Sequence, residues 1–146
     1  PLEQIVKPAV RKYAPMFISK KLSLEMSSLT ATVLTDEKWA QFIIEQILSN
    51  SLKYTRTGSI RIWQKDPAAL IIEDTGIGID PADIPRLGER GFTGYNGRLD
   101  KKSTGIGLYL CKEISRRLSH TLTIESEPGK GTRVTIDFAT RQLQAE

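Results

Sequence analysis

Two short blocks carry residues whose types and spacing could do chemistry together. Asp74-Thr75-Gly76-Ile77-Gly78-Ile79 ends an apolar run with a carboxylate and follows it with a glycine turn. Leu70, Ile72 and Asp74 fall on the same side of an extended chain. The carboxylate is therefore set to accept from an exocyclic amine such as adenine N6. Gly76 and Gly78 let the backbone approach a ring or take a positive φ. Taken alone, the block also reads as a strand-ending turn with its aspartate capping a helix. The second block, Thr104-Gly105-Ile106-Gly107-Leu108, puts two glycines at the start of an amphipathic helix. Backbone N–H groups at a helix start bind anions, and small residues let a phosphate come close. Arg90, Arg98, Lys101 and Lys102 lie nearby in sequence to neutralise charge. Such glycines also serve tight packing, so this block gains its weight from the basic, glycine-rich stretch before it.

A third group precedes both. Asn50 follows Gln46 by four residues, and Lys53 and Tyr54 follow Asn50 by three and four, so all share one helical face. Ile43 and Ile47 place that face toward a core. An amide and an ammonium there need partners, because unpaired burial is costly. An amide oxygen suits Mg²⁺ held alongside nucleotide phosphates and water. Lys53 offers a charge to phosphate and Tyr54 a flat face to a base. The plainer alternative is a helix edge where these polar groups reach water.

The elements that must position these groups follow from periodicity. Residues 1–13 are ambiguous: Ile5, Val6, Val10 and Tyr13 could form a helix face broken by Pro8. Residues 17–25 read as a strand, and 31–34 as a second. Asp36 is a good N-cap and Glu37 suits the positive end of the helix that follows. Trp39, Phe42, Ile43, Ile47 and Tyr54 recur at helical spacing up to Thr57-Gly58. Strands are expected at 59–64 and 70–74, the second buried on both faces. Residues 80–103 form a long polar segment, and long loops inside compact domains are usually functional. Ile106, Leu110, Ile114 and Leu118 mark a helix. Residues 121–125 and 132–138 alternate as strands joined by the Pro128-Gly129-Lys130-Gly131 turn.

One domain is the natural count for 146 residues. The division expected is an N-terminal segment at 1–16, a nucleotide-binding domain at 17–140 and a polar tail at 141–146. The net charge of +4 is mild and interleaved with acids, so no nucleic-acid partner is expected. The single cysteine, Cys111, sits in an apolar helical stretch and reads as a buried thiol in a reducing compartment. No apolar run reaches membrane-spanning length. The chain opens on Pro1 rather than Met and reads as a fragment. No GxxxxGK[ST] loop, dinucleotide-fold GxGxxG or kinase HRD/DFG set is present. His120 reads as structural.

The order of the blocks resembles the catalytic, ATP-binding domain of bacterial sensor histidine kinases, relatives of DNA gyrase B, Hsp90 and MutL. Asn50-Ser51-Leu52-Lys53-Tyr54-Thr55 resembles the N box, and Asp74 to Ile79 the G1 box. Glu89-Arg90-Gly91-Phe92 resembles the F box, and Thr104 to Leu108 the G2 box. Gly129-Lys130-Gly131-Thr132 resembles the closing hairpin. The likeness runs from about residue 17 to 138. It implies a two-layer α/β sandwich, the Bergerat fold: a mixed sheet, helices on one face, and a mobile ATP lid. It implies ATP and Mg²⁺ as ligands. Asn50 would bind the metal, Asp74 adenine N6, and Lys53 and Arg90 the phosphates. Tyr54 would pack by the base, and Gly105 and Gly107 would lie under the phosphate chain. Gly76, Gly78, Ile79, Phe92, Thr104, Ile106, Leu108 and Thr132 complete the ATP-binding set.

The resemblance further implies partners: the chain's own dimerisation domain with its phosphoacceptor histidine, a response-regulator receiver domain, and a membrane-bound parent with this domain in the cytoplasm. Residues 90–98 resemble kinases of the bacitracin-sensing type, which pair with ABC transporters. There are departures. Gln46 stands where histidine kinases often have Asn, and Glu45 is one residue away from the position of the base in ATP-hydrolysing relatives. Self-contained hydrolysis is therefore not expected, and no substrate histidine is present. The rival reading is a nucleotide-binding switch without phosphotransfer.

Overall fold

The structure, a computed structural model, describes residues 1–65, 68–76 and 106–138, and the side chains of 106–109 lie outside that description. The expected lid at 80–103 and tail at 141–146 also lie outside it, as do Gly78, Ile79, Arg90, Phe92, Thr104 and Gly105. The elements run α1 (Leu2–Lys20), β1 (Ser23–Met26), α2 (Glu37–Tyr54), β2 (Ser59–Lys65), β3 (Ala69–Asp74), α3 (Ile106–Arg117), β4 (Thr121–Glu127) and β5 (Gly131–Asp137).

The strands form one sheet in the order β1-β2-β3-β5-β4. β1 pairs with β2 in parallel and every other pairing is antiparallel, so the sheet is mixed. Register decides which side chains meet the helices. Ile60, Ile62, Leu70, Ile72, Val134 and Ile136 share the inner face and join one buried core with α1 and α2. The opposite face is mixed: Ala69 and Ile71 are buried on it, so β3 is covered on both faces, and Glu25, Arg61, Glu73, Arg133 and Glu125 stand in one cross-strand row of alternating charge. Arg133 pairs with Glu73 at 2.7 Å, and Arg61 and Arg133 flank the Trp63 ring. A row of this kind suits solvent, where exposed ion pairs add little stability.

The helix α2 starts as its sequence dictates: the Trp39 amide donates to Asp36 Oδ1 at 3.0 Å. Its buried stripe is Ala40, Ile43, Ile44, Ile47, Leu48, Ser51 and Leu52, while Trp39 stays 47% exposed. The stripe is thus rotated from one that includes Trp39.

Two expectations are corrected. The strand expected at 17–25 is instead the end of α1 followed by a short β1 at Ser23–Met26. Leu2, Ile5, Val6, Ala9 and Phe17 are buried at helical spacing, and the helix continues through Pro8 and Pro15. Packing along α2 outweighs the local alternation: Lys12 bonds Glu45 at 2.9 Å and Lys20 Nζ donates to the Leu52 carbonyl. Lys21, with φ 56°, ends the helix in a left-handed cap. The strand expected at 31–34 is irregular chain. The Gln64 side chain holds it, accepting from the Ala31 amide at 2.9 Å and donating to Thr30 Oγ1 at 2.8 Å.

Candidate nucleotide site at the Asp74 end of the sheet

Asp74 is the last residue of β3 and faces inward, opposite Ile60 on one side and Thr132 on the other. It is only 5% exposed. A carboxylate so placed needs donors. Oδ1 accepts from the Gly76 amide at 2.9 Å and from the Thr132 amide at 3.3 Å. The Ser51 hydroxyl of α2 acts on the carboxylate in the same sense, favouring its ionised form. Burial still dominates and pushes the Asp74 carboxyl above the ordinary carboxylate range, against the pull of these three groups.

The turn after Asp74 is pressed onto the end of α2. A Cβ at Gly76 would lie 2.6 Å from the Tyr54 carbonyl oxygen, 2.9 Å from Asp74 Oδ1 and 3.0 Å from Thr55 Oγ1. No side chain fits there, which is why glycine occupies the position. Thr55 is wholly buried and its Oγ1 has no hydrogen-bond partner among the described residues. Thr75 pins the turn to β2: its Oγ1 accepts from the Ser59 amide at 3.1 Å.

Asn50 precedes Ser51 on α2, and Asn50, Lys53 and Tyr54 are all half-buried along that edge. They form the border of the core stripe rather than its centre. Glu45 turns the other way, toward Lys12 of α1, so no carboxylate of α2 is positioned as a base beside Asn50. Thr132 reaches Asp74 through its main chain, while its hydroxyl lies 2.8 Å from Ser126 Oγ. The glycine-bearing start of α3 at Ile106, Gly107 and Leu108 is helical, with side chains outside the description. Further along α3, Cys111 is buried and desolvation pushes its thiol up to about 12, which makes it a packing residue.

Asp74, Gly76 and Thr132 are thus brought together, with Asn50, Lys53 and Tyr54 on the adjoining helix. Ser51, Thr55 and Thr75 are contributors that spacing alone did not identify. For Ser51 and Thr55 the signal was present but faint: two hydroxyls four residues apart, one on a stripe otherwise made of Ala, Ile and Leu and the other at the cap that ends the helix. The donor set fits a purine bearing an amino group. It offers a buried acceptor, a turn with no side chain in the way and a half-buried amide beside them. Among the described residues no cluster of three His, Cys, Asp or Glu side chains forms a metal cage. A single amide oxygen fits Mg²⁺, which keeps several waters and shares phosphate oxygens.

A family model described as histidine kinase-, DNA gyrase B-, and HSP90-like ATPase matches residues 35–142. The sensor histidine kinase YxdK of Bacillus subtilis (strain 168) is 36% identical over 146 residues, covering 96% of this chain and 45% of the relative. The sensor protein BceS of the same strain is 36% identical over 143 residues, covering 96% of this chain and 43% of the relative. The sensor protein kinase GraS of Staphylococcus aureus (strain MRSA252) is 44% identical over 109 residues, or 73% of this chain and 32% of GraS. The chain therefore spans less than half the length of these relatives. Among solved structures, full-length ShkA in complex with AMPPNP superposes with a TM-score of 0.79 at 19% identity, over 94% of this chain and 30% of ShkA. The catalytic domain of histidine kinase ThkA superposes with a TM-score of 0.80 at 15% identity, over 95% of this chain and 92% of that domain. At these identities the superpositions establish the fold.

Proposed function

Because the chain belongs to the histidine kinase-, DNA gyrase B- and HSP90-like ATPase family, we propose that it is the ATP-binding catalytic domain of a sensor histidine kinase and that Mg-ATP binds at the Asp74 end of the sheet. The observation that carries the reading is the buried Asp74 carboxylate, held by the Gly76 and Thr132 amides beside a turn too tight for any side chain. Asp74 takes the adenine amino group, Gly76 lets the ring approach, and Tyr54 packs beside it. Asn50 gives its amide oxygen to Mg²⁺. Lys53 and Arg90 approach the phosphates, and Gly105 and Gly107 let the phosphate chain lie against the start of α3. Gly78, Ile79, Phe92, Thr104, Ile106 and Leu108 complete the pocket.

Bound ATP supplies the transferable γ-phosphoryl group. The chain's own part is positioning and charge neutralisation, which carry most of the rate in phosphoryl transfer. The receiving histidine belongs to a separate dimerisation domain of the full-length protein, and a response-regulator receiver domain takes the phosphoryl group next. Similarity to full-length sensor kinases supports a membrane-bound parent with this domain in the cytoplasm. Similarity to BceS supports the bacitracin-sensing subtype, and the resemblance of residues 90–98 to that type is the ground for an ABC transporter as partner of the full-length protein.

The test is a titration of the chain with ATP and GTP, with and without Mg²⁺. A purified histidine-hairpin domain and labelled ATP are then added. The reading expects tighter ATP than GTP binding and label on the hairpin histidine. Equal affinity for both nucleotides, or binding without any transfer, would overturn it in its base-recognition or its kinase half respectively.

A further inference from the structure

The residues assigned to metal, phosphate and base, Asn50, Lys53 and Tyr54, stand at the C-terminal end of α2. The last carbonyls of a helix have no partner within it. A helix that ends in a left-handed residue closes some of them with amides of the chain that follows. α2 ends otherwise: Thr55 leaves it in extended backbone, at φ −106° and ψ 112°. One of these carbonyls, that of Leu52, accepts from the Nζ of Lys20, 32 residues earlier at the end of α1. We infer that Lys20 is a positioning residue for the phosphate side of the nucleotide: its ammonium group closes the C-terminal end of α2 and offsets the negative pole which that end presents to the phosphates. The inference rests on the function proposed above and adds a residue to it.

The end of α1 holds Lys20 in place. Lys21, at φ 56°, caps that helix in the left-handed conformation. The Lys21 amide donates to the Ile18 carbonyl at 3.1 Å and the Leu22 amide to the Phe17 carbonyl at 3.0 Å. Phe17 and Leu22 are buried, so the cap is anchored in the core on both sides of Lys20. Lys20 itself is half-buried. Among the described residues it makes no ion pair with a carboxylate. Its charge is therefore directed at the helix end.

The C-terminus of a helix carries about half an elementary negative charge. A polyphosphate brought to Asn50 and Lys53 meets that pole as a like charge. An ammonium on the Leu52 carbonyl cancels the pole from the protein side, which leaves the Lys53 charge for the ligand. The penalty that Lys20 removes grows with the charge of the ligand, so it is largest for a triphosphate and small for a nucleoside. The bond also steadies the turn whose Tyr54 carbonyl lies 2.6 Å from the Cβ position of Gly76.

The experiment compares the wild-type chain with Lys20→Met, Lys20→Arg and Lys7→Met. Methionine keeps the stem and loses the charge, and arginine keeps a charged donor. Lys7 is exposed on α1 and pairs with Glu3 at 2.7 Å, so its loss removes one positive charge from the same helix away from α2. Calorimetry measures adenosine, AMP, ADP and ATP binding with Mg²⁺ present. Amide exchange at residues 53–55 is read without nucleotide, and melting temperatures establish that each variant folds. K20M should weaken ATP by roughly five- to tenfold, ADP by less, and adenosine by less than about twofold. It should also speed exchange at residues 53–55. K20R should restore both, and K7M should match wild type. An equal loss for adenosine and ATP in K20M overturns the inference, because a uniform loss marks a structural role. Unchanged ATP affinity in K20M, or an equal loss in K7M, overturns it as well. If the wild-type chain binds none of the four ligands, the proposed function fails instead, and exchange at residues 53–55 still decides whether Lys20 closes the end of α2.

Discussion

Gly131 is pressed against the main chain of Asp74: a Cβ at position 131 would lie 2.0 Å from the Asp74 carbonyl oxygen and 3.0 Å from its carbonyl carbon. The contact is backbone on backbone, so no flexible side chain can give way. It also occurs at φ 131°, a conformation that L side chains rarely adopt. The first residue of β5 therefore fixes how closely that strand passes the end of β3. That spacing in turn brings the Thr132 amide to Asp74.

Gly131→Ala should destabilise the domain by roughly 2–4 kcal/mol, combining overpacking with backbone strain. Gly129 is the internal control. It has φ 81° in the same turn, but nothing lies within 4 Å of its Cβ position. Gly129→Ala should cost only about 1 kcal/mol. Urea unfolding of the two variants checks the difference, and equal losses would mean that conformation alone sets the requirement for glycine.

Replacing Asp74 with Asn should separate stability from binding. Burial raises the Asp74 carboxyl above its ordinary range, so ionising it costs more in the fold than in the unfolded chain. That cost develops as pH rises from the ordinary carboxylate range, about 4, through the raised value. At neutral pH, D74N should therefore melt at or above the wild-type temperature, and the advantage should fade below about pH 4. Its ATP affinity should fall by about 1–3 kcal/mol, because an amide presents a donor where an acceptor is required. A variant that melts lower at every pH would show that the carboxylate's hydrogen bonds outweigh its desolvation.

Much of this arrangement was legible before any coordinates. Asp36, Ile43 and Ile47 announce α2, and the Pro128–Gly131 turn announces the hairpin, because capping chemistry and periodicity act locally. Asp74 and Gly76 stood out because a carboxylate at the end of an apolar strand requires an explanation. α1 was hidden because Pro8 reads as a breaker, and because its stability comes from burying Leu2, Ile5, Val6, Ala9 and Phe17 in the core it shares with α2. Ser51 and Thr55 were hidden for another reason. Two hydroxyls four residues apart give only a faint signal, and their role depends on a strand that the helix meets only in the fold.

Asn50→Ala should uncouple metal from nucleotide. The residue sits half-buried one position before Ser51, on the edge of α2 rather than in the base-reading cluster. Loss of its amide oxygen should remove the strengthening of ATP binding by Mg²⁺ while leaving adenosine affinity nearly unchanged. Paired calorimetric titrations with ATP, with and without Mg²⁺, read the effect. Equal strengthening by Mg²⁺ in mutant and wild type would exclude Asn50 as the ligand.

His120 gives the fold a pH dependence of opposite sign to that of Asp74, far from the nucleotide. It follows α3, places Nε2 2.8 Å from Thr35 Oγ1 and sets its ring edge-on to Phe138 at 5.0 Å. It thereby ties the segment before α2 to the end of β5. Burial holds its pKa below the ordinary histidine value, and the Asp137 charge only partly offsets that. Below about pH 6.5 the unfolded chain takes up a proton that the folded chain resists, so stability falls as pH drops from there toward the lowered folded value. His120→Gln keeps a donor and an acceptor for Thr35 but cannot titrate. Wild type should therefore lose melting temperature relative to H120Q between about pH 7 and pH 5. Above pH 7 the gap between the two should be constant. Parallel curves across the whole range would show that His120 serves only as a packing and hydrogen-bonding group.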